Sequence, residues 1–504
     1  MRRLLCCLLA LGVLSSGFSG QAADAEPLAH PNDPVAAGPL ARTAEPDFNG
    51  DGFADLAAGG GPHPTLEGTL GALHVLYGSP AGLGKLRSQR FLSEDSGSPQ
   101  ESSFGSPLAT GHFDGDRYTD LAVGSHAATV GSVREAGSVR ILYGSSQGLT
   151  HLRSQQWSQA TPGVAGSPEW EDSFGIALAV GNFGHGAQDD LAIGVRFENN
   201  REGAVHVLYG SSSGLTAAGS QMWTEKSPGV RGKAESGDLF GSAFAAGNFG
   251  RGDYDDLAIG VIDDYLSGHI SAGSVTVMYG SGAGLTASGS QRWTQNSRGI
   301  PGTVEDEEYF GQALTAARFT GSRYDDLAIG VPGENNYTGA VNVIYGSSRG
   351  LTRRNAQILS QATRGVAGKA ESGDVFGVAL VGGVFGRDRN GSYDDLAIGV
   401  PGESLGRIQS AGSVQIIYGS KQGLDPARDQ TIHQGQRGIL GAVGRGDEFG
   451  WFLARGSFDG RPGVDLAIGS QGEQSFNVLY GSSGGFGTDR NQLWTKRGFI
   501  LPSQ

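Results

Sequence analysis

The chain has 504 residues, with 37 basic and 51 acidic side chains and a formal net charge of −14. This acidic balance disfavours binding to nucleic acids or anionic membranes and suits cations or basic partners. Glycine contributes 87 residues and apolar side chains 38% of the chain, a composition that favours many tight turns between short strands rather than disorder.

The N-terminus has the layout of a secretory signal peptide. Two arginines precede an apolar run over residues 4–13, and Ala-Asp-Ala at 23–25 provides a small-residue cleavage site. The run is too short to span a bilayer. We therefore expect residues 1–25 to be removed and the protein to be secreted, to the extracellular space or the periplasm. Both cysteines, Cys6 and Cys7, lie in this segment, so we expect no disulfide and no thiolate metal site in the mature chain.

A repeat then organises the chain. The tripeptide "DLA" occurs seven times, each copy is followed by a "YG" pair, and a glutamine follows each of those tyrosines after twelve residues. Each unit divides into four short runs bounded by glycine, with period-two alternation as in "SVTVMY" (274–279) and no helical spacing. Radial stacking would bury the faces of such units. The sequence predicts an all-β fold, a seven-bladed β-propeller of four-stranded antiparallel blades.

We predict a linker over 26–37 and a single propeller domain over 38–504. The blades are expected at 38–97, 98–167, 168–233, 234–303, 304–369, 370–442 and 443–504. Because each blade can be built from contiguous sequence, ring closure would rest on blade one packing against blade seven. An extra strand contributed by 26–37 stays open as an alternative. The residue two positions after each repeat glutamine, such as Trp157, is predicted to pack on the outer strand.

The first candidate site is "DFNGDGFAD" (47–55), which places oxygen ligands at alternating positions around two glycines. An EF-hand is excluded, because position twelve is Ala58 rather than a bidentate glutamate and both flanks are β-like. Three carboxylates this close would repel without a cation, and hard oxygen ligands in a glycine-bent loop suit structural Ca²⁺. The predicted ligands are Asp47, Asn49, Asp51, the Phe53 carbonyl and Asp55.

A second, less complete set lies in blade two, in "HFDGDRYTD" (112–120), where His112 takes the first position. Its predicted ligands are Asp114, Asp116, the Tyr118 carbonyl and Asp120. The corresponding hairpins of blades three to five lack the central carboxylates. Blade six carries an insertion in which Asp388 and Asn390 form an alternative, irregular site, and blade seven keeps only Asp459 and Asp465. We expect one or two Ca²⁺ sites.

These features together resemble the FG-GAP repeats of integrin α-subunit propellers. The resemblance is carried by the Phe-Gly pairs, the Asp-rich hairpin, "DLAIGVPGE" (326–334) and "VNVIYGS" (341–347), and it covers nearly the whole mature chain. It implies a seven-bladed propeller that holds calcium in the hairpin between the first and second strands of some blades. It also implies a non-catalytic binding or adhesion module. Two alternatives stay open: a hydrolase or hydrolase-accessory propeller resembling the repeats of glycosylphosphatidylinositol-specific phospholipase D, and a lectin.

The sequence contains no convincing catalytic constellation. "GSSSG" (210–214) fits the esterase pattern G-x-S-x-G, but that pattern requires a strand-to-helix turn. Here its copies recur between two predicted strands, where glycine and serine favour tight turns. We therefore predict that the propeller is not an enzyme.

A ligand face is predicted opposite the calcium hairpins. The distance from the "DLA" aspartate to the "YG" tyrosine varies between 15 and 23 residues, whereas the tyrosine-to-glutamine distance is always 12. Variable loops on one face of a repeat array usually bind partners. We expect a protein or carbohydrate ligand there, and neither nucleic acid nor a membrane span. The predicted ligand residues combine acids with aromatics: Trp170, Glu171, Asp172, Glu198, Asp263, Asp264, Tyr265, Glu308, Tyr309, Glu334 and Tyr337.

Overall fold

The computed structural model describes residues 45–62, 71–93, 103–386 and 393–495. Within these ranges the chain forms seven antiparallel sheets in succession, six of four strands and one of three, with two single helical turns. The predicted all-β, seven-bladed propeller is confirmed. The expected signal peptide and linker, together with Asp388 and Asn390, lie outside the described residues.

The strands follow in chain order, and each blade uses consecutive ones. Blades one to three contain β1 (Leu56–Pro62), β2 (Gly71–Tyr77), β3 (Gly84–Leu92), β4 (Leu108–Gly111), β5 (Asp120–Ser125), β6 (Ser138–Tyr143), β7 (Thr150–Trp157), β8 (Leu178–Gly181), β9 (Asp190–Val195), α1 (Glu198–Arg201), β10 (Ala204–Tyr209) and β11 (Thr216–Trp223). Blades four and five contain β12 (Phe240–Gly247), β13 (Asp256–Val261), β14 (Ser274–Tyr279), β15 (Thr286–Trp293), β16 (Leu314–Ala317), β17 (Asp326–Val331), α2 (Glu334–Tyr337), β18 (Ala340–Tyr345) and β19 (Thr352–Leu359). Blades six and seven contain β20 (Leu380–Gly383), β21 (Asp395–Val400), β22 (Ser413–Ser420), β23 (Gly423–Ile432), β24 (Phe449–Gly456), β25 (Asp465–Ser470), β26 (Ser475–Leu479) and β27 (Asn491–Thr495).

The first strand of a blade lies innermost in the ring and the fourth lies outermost. First strands contact one another from blade to blade, as β12 does with β8 and β16, whereas the fourth strand of blade two, β7, is largely exposed. In blade one, β1 to β3 correspond to strands two to four of the other blades. Strand order therefore places the hairpins between strands one and two on one face of the ring, the hairpin face. The turns between strands three and four lie on the same face, and the loops between strands two and three and between successive blades lie on the opposite face.

The apolar core lies between blades rather than within them. One cluster joins blades two and three and includes Phe113 and Leu191, and another joins blade seven to blade one through Phe458 and Leu76. Most residues two positions after a repeat glutamine are buried in these junctions, in agreement with the predicted packing role: Phe91, Trp157, Trp293, Leu359, Ile432 and Trp494.

The repeat tyrosine and glutamine form a clamp between successive blades. In blade two, Tyr143 Oη donates to Gln155 Oε1 (2.6 Å), and Gln155 Nε2 donates to the carbonyl of Leu215 in blade three (3.0 Å). The Leu215 N–H returns a bond to Tyr143 Oη (3.2 Å). Gln492 donates in the same way to the Leu83 carbonyl (3.1 Å), which closes the ring from blade seven to blade one. The remaining clamp donors are Gln89, Gln221, Gln291, Gln357 and Gln430.

The "DLA" aspartate is a second repeated structural device. In blade three, Asp190 Oδ2 accepts a bond from the Phe183 N–H (2.7 Å) and Oδ1 accepts one from the Gly210 N–H (3.0 Å). The carboxylate thus ties the hairpin of a blade to the end of its third strand. The same arrangement recurs in the other blades, through Asp55, Asp120, Asp256, Asp326, Asp395 and Asp465.

The clamp predicts a stability difference between two adjacent glutamines of β7. We expect Gln155→Leu to lower the free energy of unfolding by about 1–3 kcal/mol, because the Leu215 carbonyl and the Tyr143 hydroxyl lose a buried partner. The neighbouring Gln156 is exposed, and Gln156→Leu should change the free energy of unfolding by about 0.5 kcal/mol or less. Chemical denaturation of both variants measures the difference, and equal losses would contradict the clamp.

Candidate functional site

The blade-one hairpin folds around the carboxylate of Asp47. Its Oδ1 accepts a bond from the Gly50 N–H (2.7 Å), its Oδ2 accepts one from the Gly52 N–H (2.8 Å), and Asn49 Oδ1 accepts one from the Asp51 N–H (2.8 Å). Gly50 and Gly52 have φ angles of +69° and +89°, a left-handed conformation that glycine adopts without strain. The loop's backbone donors and side-chain oxygens therefore converge.

The blade-one residues suit a hard cation. Asp47 and Asp51 provide carboxylates at the loop, Asn49 an amide oxygen, and the fourth predicted side chain, Asp55, is buried at its base. The pKa of Asp55 is raised to about 8, mainly by burial and in smaller part by the charges of Asp47 and Asp51. Each carboxylate oxygen has two lone pairs, so the hydrogen bonds described leave capacity for a metal. An oxygen-only set of this kind fits Ca²⁺, and Phe53 would add its carbonyl.

Blade two brings its three predicted carboxylates closer together. Oxygens of Asp114, Asp116 and Asp120 all lie within 4.8 Å of one another, and no other trio of His, Cys, Asp or Glu in the described part of the chain meets this criterion. Asp114 and Asp120 are buried and Asp116 is exposed. The pKa of Asp120 is raised to about 8, mainly by burial and in smaller part by the charges of the other two carboxylates. The hairpin with the less complete motif thus forms the tighter acidic cluster.

Two further side chains, one of them outside the motif, lie beside the blade-two cluster. The Arg153 guanidinium lies 3.0 Å from Asp114 Oδ2, and His112 Nδ1 lies 3.0 Å from the Tyr118 carbonyl, the predicted backbone ligand. Arg153 therefore already supplies one positive charge. In blade seven, which has fewer hairpin acids, Arg490 makes the equivalent ion pair with Asp459. An arginine, like a metal ion, can thus balance the negative charge of the carboxylate at this position of the hairpin.

The two candidate hairpins are neighbours in the ring. The Asp47 N–H donates to Thr119 Oγ1 (3.0 Å) and the Asp47 carbonyl accepts from the Thr119 N–H (3.0 Å). A Cβ atom at Gly50 would lie 2.7 Å from the ring of Tyr118. A polar residue precedes "DLA" in blades two to six, as Thr119 does in blade two. It was a sequence signal for this contact, since its counterparts Asp189, Asp255 and Asp325 make the same link.

On the opposite face, part of the predicted ligand set is exposed. Trp170 has 67% and Tyr265 52% of its surface accessible to solvent, and Glu171 is exposed as well. Asp263, Tyr309 and Tyr337 are half-buried. These exposed and half-buried side chains come from blades three, four and five.

The other part of the predicted ligand set is buried rather than exposed. Five of its acids have 6% or less of their surface accessible and lie at the junctions between blades: Asp172, Glu198, Asp264, Glu308 and Glu334. For example, Gln159 at the end of blade two donates to Glu198 Oε2 of blade three (2.6 Å). These carboxylates are packed inside the ring and do not contact a ligand at the surface.

The sequence prediction missed an aromatic and two arginines on this face. Phe197 lies between the guanidinium groups of Arg196 and Arg201, at 4.6 and 5.0 Å from its ring centre. Asp263 of blade four lies within electrostatic range of both arginines. The signal was present in "RFENNR" (196–201), where two cations flank an aromatic in a loop of this face.

The esterase-like segments are hairpin turns, as predicted. At 210–214, Ser211 Oγ donates to the Gly214 carbonyl (2.6 Å) and accepts a bond from the Ser213 N–H (3.2 Å), between β10 and β11. Within the described residues, Ser212, at the nucleophile position of the motif, has no bond to a histidine or an acid. The turn chemistry accounts for this motif without catalysis.

Comparison with known proteins finds partial sequence relatives. The chain is 30% identical over 203 residues to human phosphatidylinositol-glycan-specific phospholipase D, which covers 37% of this chain and 23% of that protein. It is 27% identical over 262 residues to Xenopus laevis integrin alpha-5 (50% and 22%) and 40% identical over 92 residues to Drosophila melanogaster integrin alpha-PS2 (18% and 6%). The chain thus spans less than a quarter of the length of these relatives.

Other comparisons add little. No family model matches the chain. A Bacillus licheniformis rhamnogalacturonan lyase has a TM-score of 0.39 and 9% identity, over 88% of this chain and 72% of that one, which is too low to support an argument. No helix in the described residues has the length and hydropathy needed to cross a membrane. The chain is thus a seven-bladed β-propeller whose sequence is similar to parts of integrin α-subunits.

Proposed function

We propose that the protein is a secreted, calcium-stabilised and non-catalytic binding or adhesion module. Calcium would be held in the hairpins of blades one and two, and a protein ligand would bind the opposite face. The observation that supports a ligand there is the exposed cluster of aromatic and charged side chains on blades three to five. Large exposed aromatics beside arginines are typical of binding surfaces.

The proposed ligand surface is continuous across two blades. The Phe197 N–H donates to the Asp172 carbonyl (3.4 Å), next to the segment that carries Trp170. The Leu239 N–H donates to the Arg201 carbonyl (3.1 Å), which joins the loop of blade three to the start of blade four. Because these loops are bonded to one another, their exposed side chains form one surface rather than isolated contacts.

The chemistry of this surface favours a protein ligand. Arg196 and Arg201 offer bidentate donors to a carboxylate, while Glu171 offers a negative charge near the exposed ring of Trp170. Mixed charge around aromatic anchors suits a peptide loop carrying both signs. Stacking on Trp170 is the feature that a carbohydrate ligand would use, and carbohydrate binding is therefore the alternative outcome of the test below.

An enzymatic role finds less support. The similarity to phosphatidylinositol-glycan-specific phospholipase D covers at most about a quarter of those proteins, and their activity belongs to the whole molecule. The described residues of this chain show blade-to-blade packing and turn hydrogen bonds at the serine motifs. We infer that the propeller itself binds rather than catalyses.

Calcium should stabilise the protein through the two hairpins. With about 5 mM Ca²⁺ against a dissociation constant of about 0.1–1 mM, each occupied site adds roughly 1–2 kcal/mol to the free energy of unfolding. We expect a higher melting temperature in Ca²⁺ than in EGTA, with a smaller rise in Asp51→Ala and in Asp116→Ala. Thermal unfolding of the three proteins, each in Ca²⁺ and in EGTA, measures the difference.

The matched control for calcium is Asp253→Ala. Asp253 is an exposed acid in the blade-four hairpin, whose loop lacks the other ligands, so this variant should keep the full calcium effect. A calcium effect that is absent in the parent protein, or that falls equally in all three variants, would contradict the hairpin sites.

The ligand face can be tested by binding measurements on the mature protein. We propose surface plasmon resonance against a panel of secreted and matrix proteins, with a glycan array in parallel. For any bound protein, Trp170→Ala and Phe197→Ala should each weaken affinity about tenfold or more, as expected for aromatic anchors. Leu152→Ala, which removes an exposed side chain on the outer strand of blade two, should not. Equal losses of affinity in the control and in the two aromatic variants, or binding to glycans alone, would contradict a protein-binding face.

A further inference from the structure

Six exposed arginines lie at the outer rim of blades four and five. The fourth strand of blade five, β19, carries Arg353 and Arg354, and the turn before it carries Arg349. The strand bulges at Asn355, whose φ is +62°, and a bulge breaks the alternation of side chains between the faces of a sheet. Both neighbouring arginines of the strand are accordingly exposed. We call the whole set the basic strip: Arg251, Arg298, Arg323, Arg349, Arg353 and Arg354.

Contacts between neighbouring segments join the members of the basic strip. Arg251, in the hairpin of blade four, donates from Nε to the Arg349 carbonyl (2.9 Å). A Cβ atom at Gly299, the residue after Arg298, would lie 3.1 Å from Arg353 Cδ. The strip therefore runs from the hairpin face along the rim to the loop between blades four and five.

Neutral groups hold two of these arginines in place. The guanidinium carbon of Arg251 lies 4.7 Å from the centre of the Tyr279 ring. Arg323 lies at the same distance from the centre of the Tyr324 ring and donates to a tyrosine hydroxyl there. Tyr324 adjoins the turn of blade five, because a Cβ atom at Gly346 would lie 2.9 Å from Tyr324 Cβ. An aromatic ring or a hydroxyl orients a guanidinium group without neutralising its charge.

The positive charge of the basic strip is not neutralised by neighbouring acids. Within the described residues, none of its six arginines makes an ion pair, whereas cations elsewhere do, such as Arg153 with Asp114 and Lys226 with Glu202. Residues 335–370 contain four arginines and one lysine but no acid, in a chain with 51 acidic and 37 basic side chains. An acidic protein thus concentrates exposed positive charge at one place.

We propose that the basic strip binds a sulfated polysaccharide. A guanidinium group presents its N–H donors as a fork that binds the oxygens of an anion in pairs. Sulfate groups repeated along a sugar chain can contact several arginines of the strip in turn. The strip lies on the hairpin face and the rim, so this site is separate from the proposed ligand surface on the opposite face.

A polysaccharide fits the surroundings of the strip better than a membrane or a single-stranded nucleic acid. The hairpins of blades one and two expose acids such as Asp51 and Asp116, and an anionic membrane on that face would approach them as well. A thin chain can stay on the strip, because charges farther away than about 8 Å are largely screened at physiological salt. Single-stranded nucleic acids usually stack their bases on exposed aromatic rings, whereas arginines cover the rings of Tyr279 and Tyr324.

Isothermal titration calorimetry of the mature protein with dextran sulfate tests the strip, with uncharged dextran as the matched ligand. We expect dextran sulfate to bind and dextran not to bind. The affinity should fall steeply with salt, because each contact with a polyanion releases a counterion. Arg349→Ala/Arg353→Ala/Arg354→Ala should weaken binding about tenfold or more and make the slope of log affinity against log salt shallower by about 2.

The control variant removes the same net charge elsewhere on the ring. Arg407, Arg437 and Arg445 are exposed in loops of the opposite face. Arg407→Ala/Arg437→Ala/Arg445→Ala should keep the affinity for dextran sulfate within about twofold, because distant charges are screened. Trp170→Ala should also bind dextran sulfate as the parent protein does, which separates the strip from the proposed ligand surface.

Other outcomes overturn the proposal. Equal losses of affinity in the two triple variants would show an effect of net charge rather than of the strip. Tighter binding of polygalacturonate, single-stranded DNA or phosphatidylglycerol vesicles than of dextran sulfate would assign the strip to another polyanion, and no binding of dextran sulfate at low salt would remove the site. If the triple variant of the strip does not fold, Arg353→Ala/Arg354→Ala measured against Arg407→Ala/Arg437→Ala carries the same expectation.

Discussion

The joint between successive blades is the constraint on which the rest of the structure depends. The apolar clusters lie between blades, so no single blade encloses a core of its own. Each joint adds the hydrogen bond from a repeat glutamine to a carbonyl of the next blade, and the bond from Gln492 to Leu83 completes the circle. In repeat proteins of this kind, stability is largely a sum of neighbour interactions. A closed ring removes the two unpaired ends that an open array would expose.

Charged side chains lie near these joints on both faces of the ring. On the hairpin face, the "DLA" carboxylate is used in every blade to hold the backbone, and among the hairpins that the structure describes in full, those of blades one and two add the acids of a candidate cation site. Blade seven uses Arg490 at the corresponding place. On the opposite face, acids such as Glu308 are buried in the joints. Because burial and the neighbouring charge of Glu334 both raise the pKa of Glu308, protonation offsets the repulsion between these acids.

The sequence predicted what is local or periodic. The seven blades follow from the recurrence of "DLA" and "YG", and the acidic cluster of the blade-two hairpin from alternating positions within nine residues. It did not predict Arg153, whose partner Asp114 is 39 residues away, or Thr119, which is 72 residues from Asp47. Those contacts depend on which blades become neighbours. The repeat glutamine was visible as a pattern, but its role required the position of the next blade. Glu308 and Glu334 were expected at the surface because acids in loops usually are, whereas packing between blades buries them.

The most direct test is a crystal structure of the mature protein grown with Ca²⁺, with anomalous diffraction used to locate the metal. We expect calcium peaks in the hairpins of blades one and two, bound by carboxylates that include Asp51 and Asp116, and none in the hairpins of blades three to five. Peaks confined to other places, or hairpins of blades one and two that hold only water in millimolar calcium, would contradict the account of a calcium-stabilised propeller.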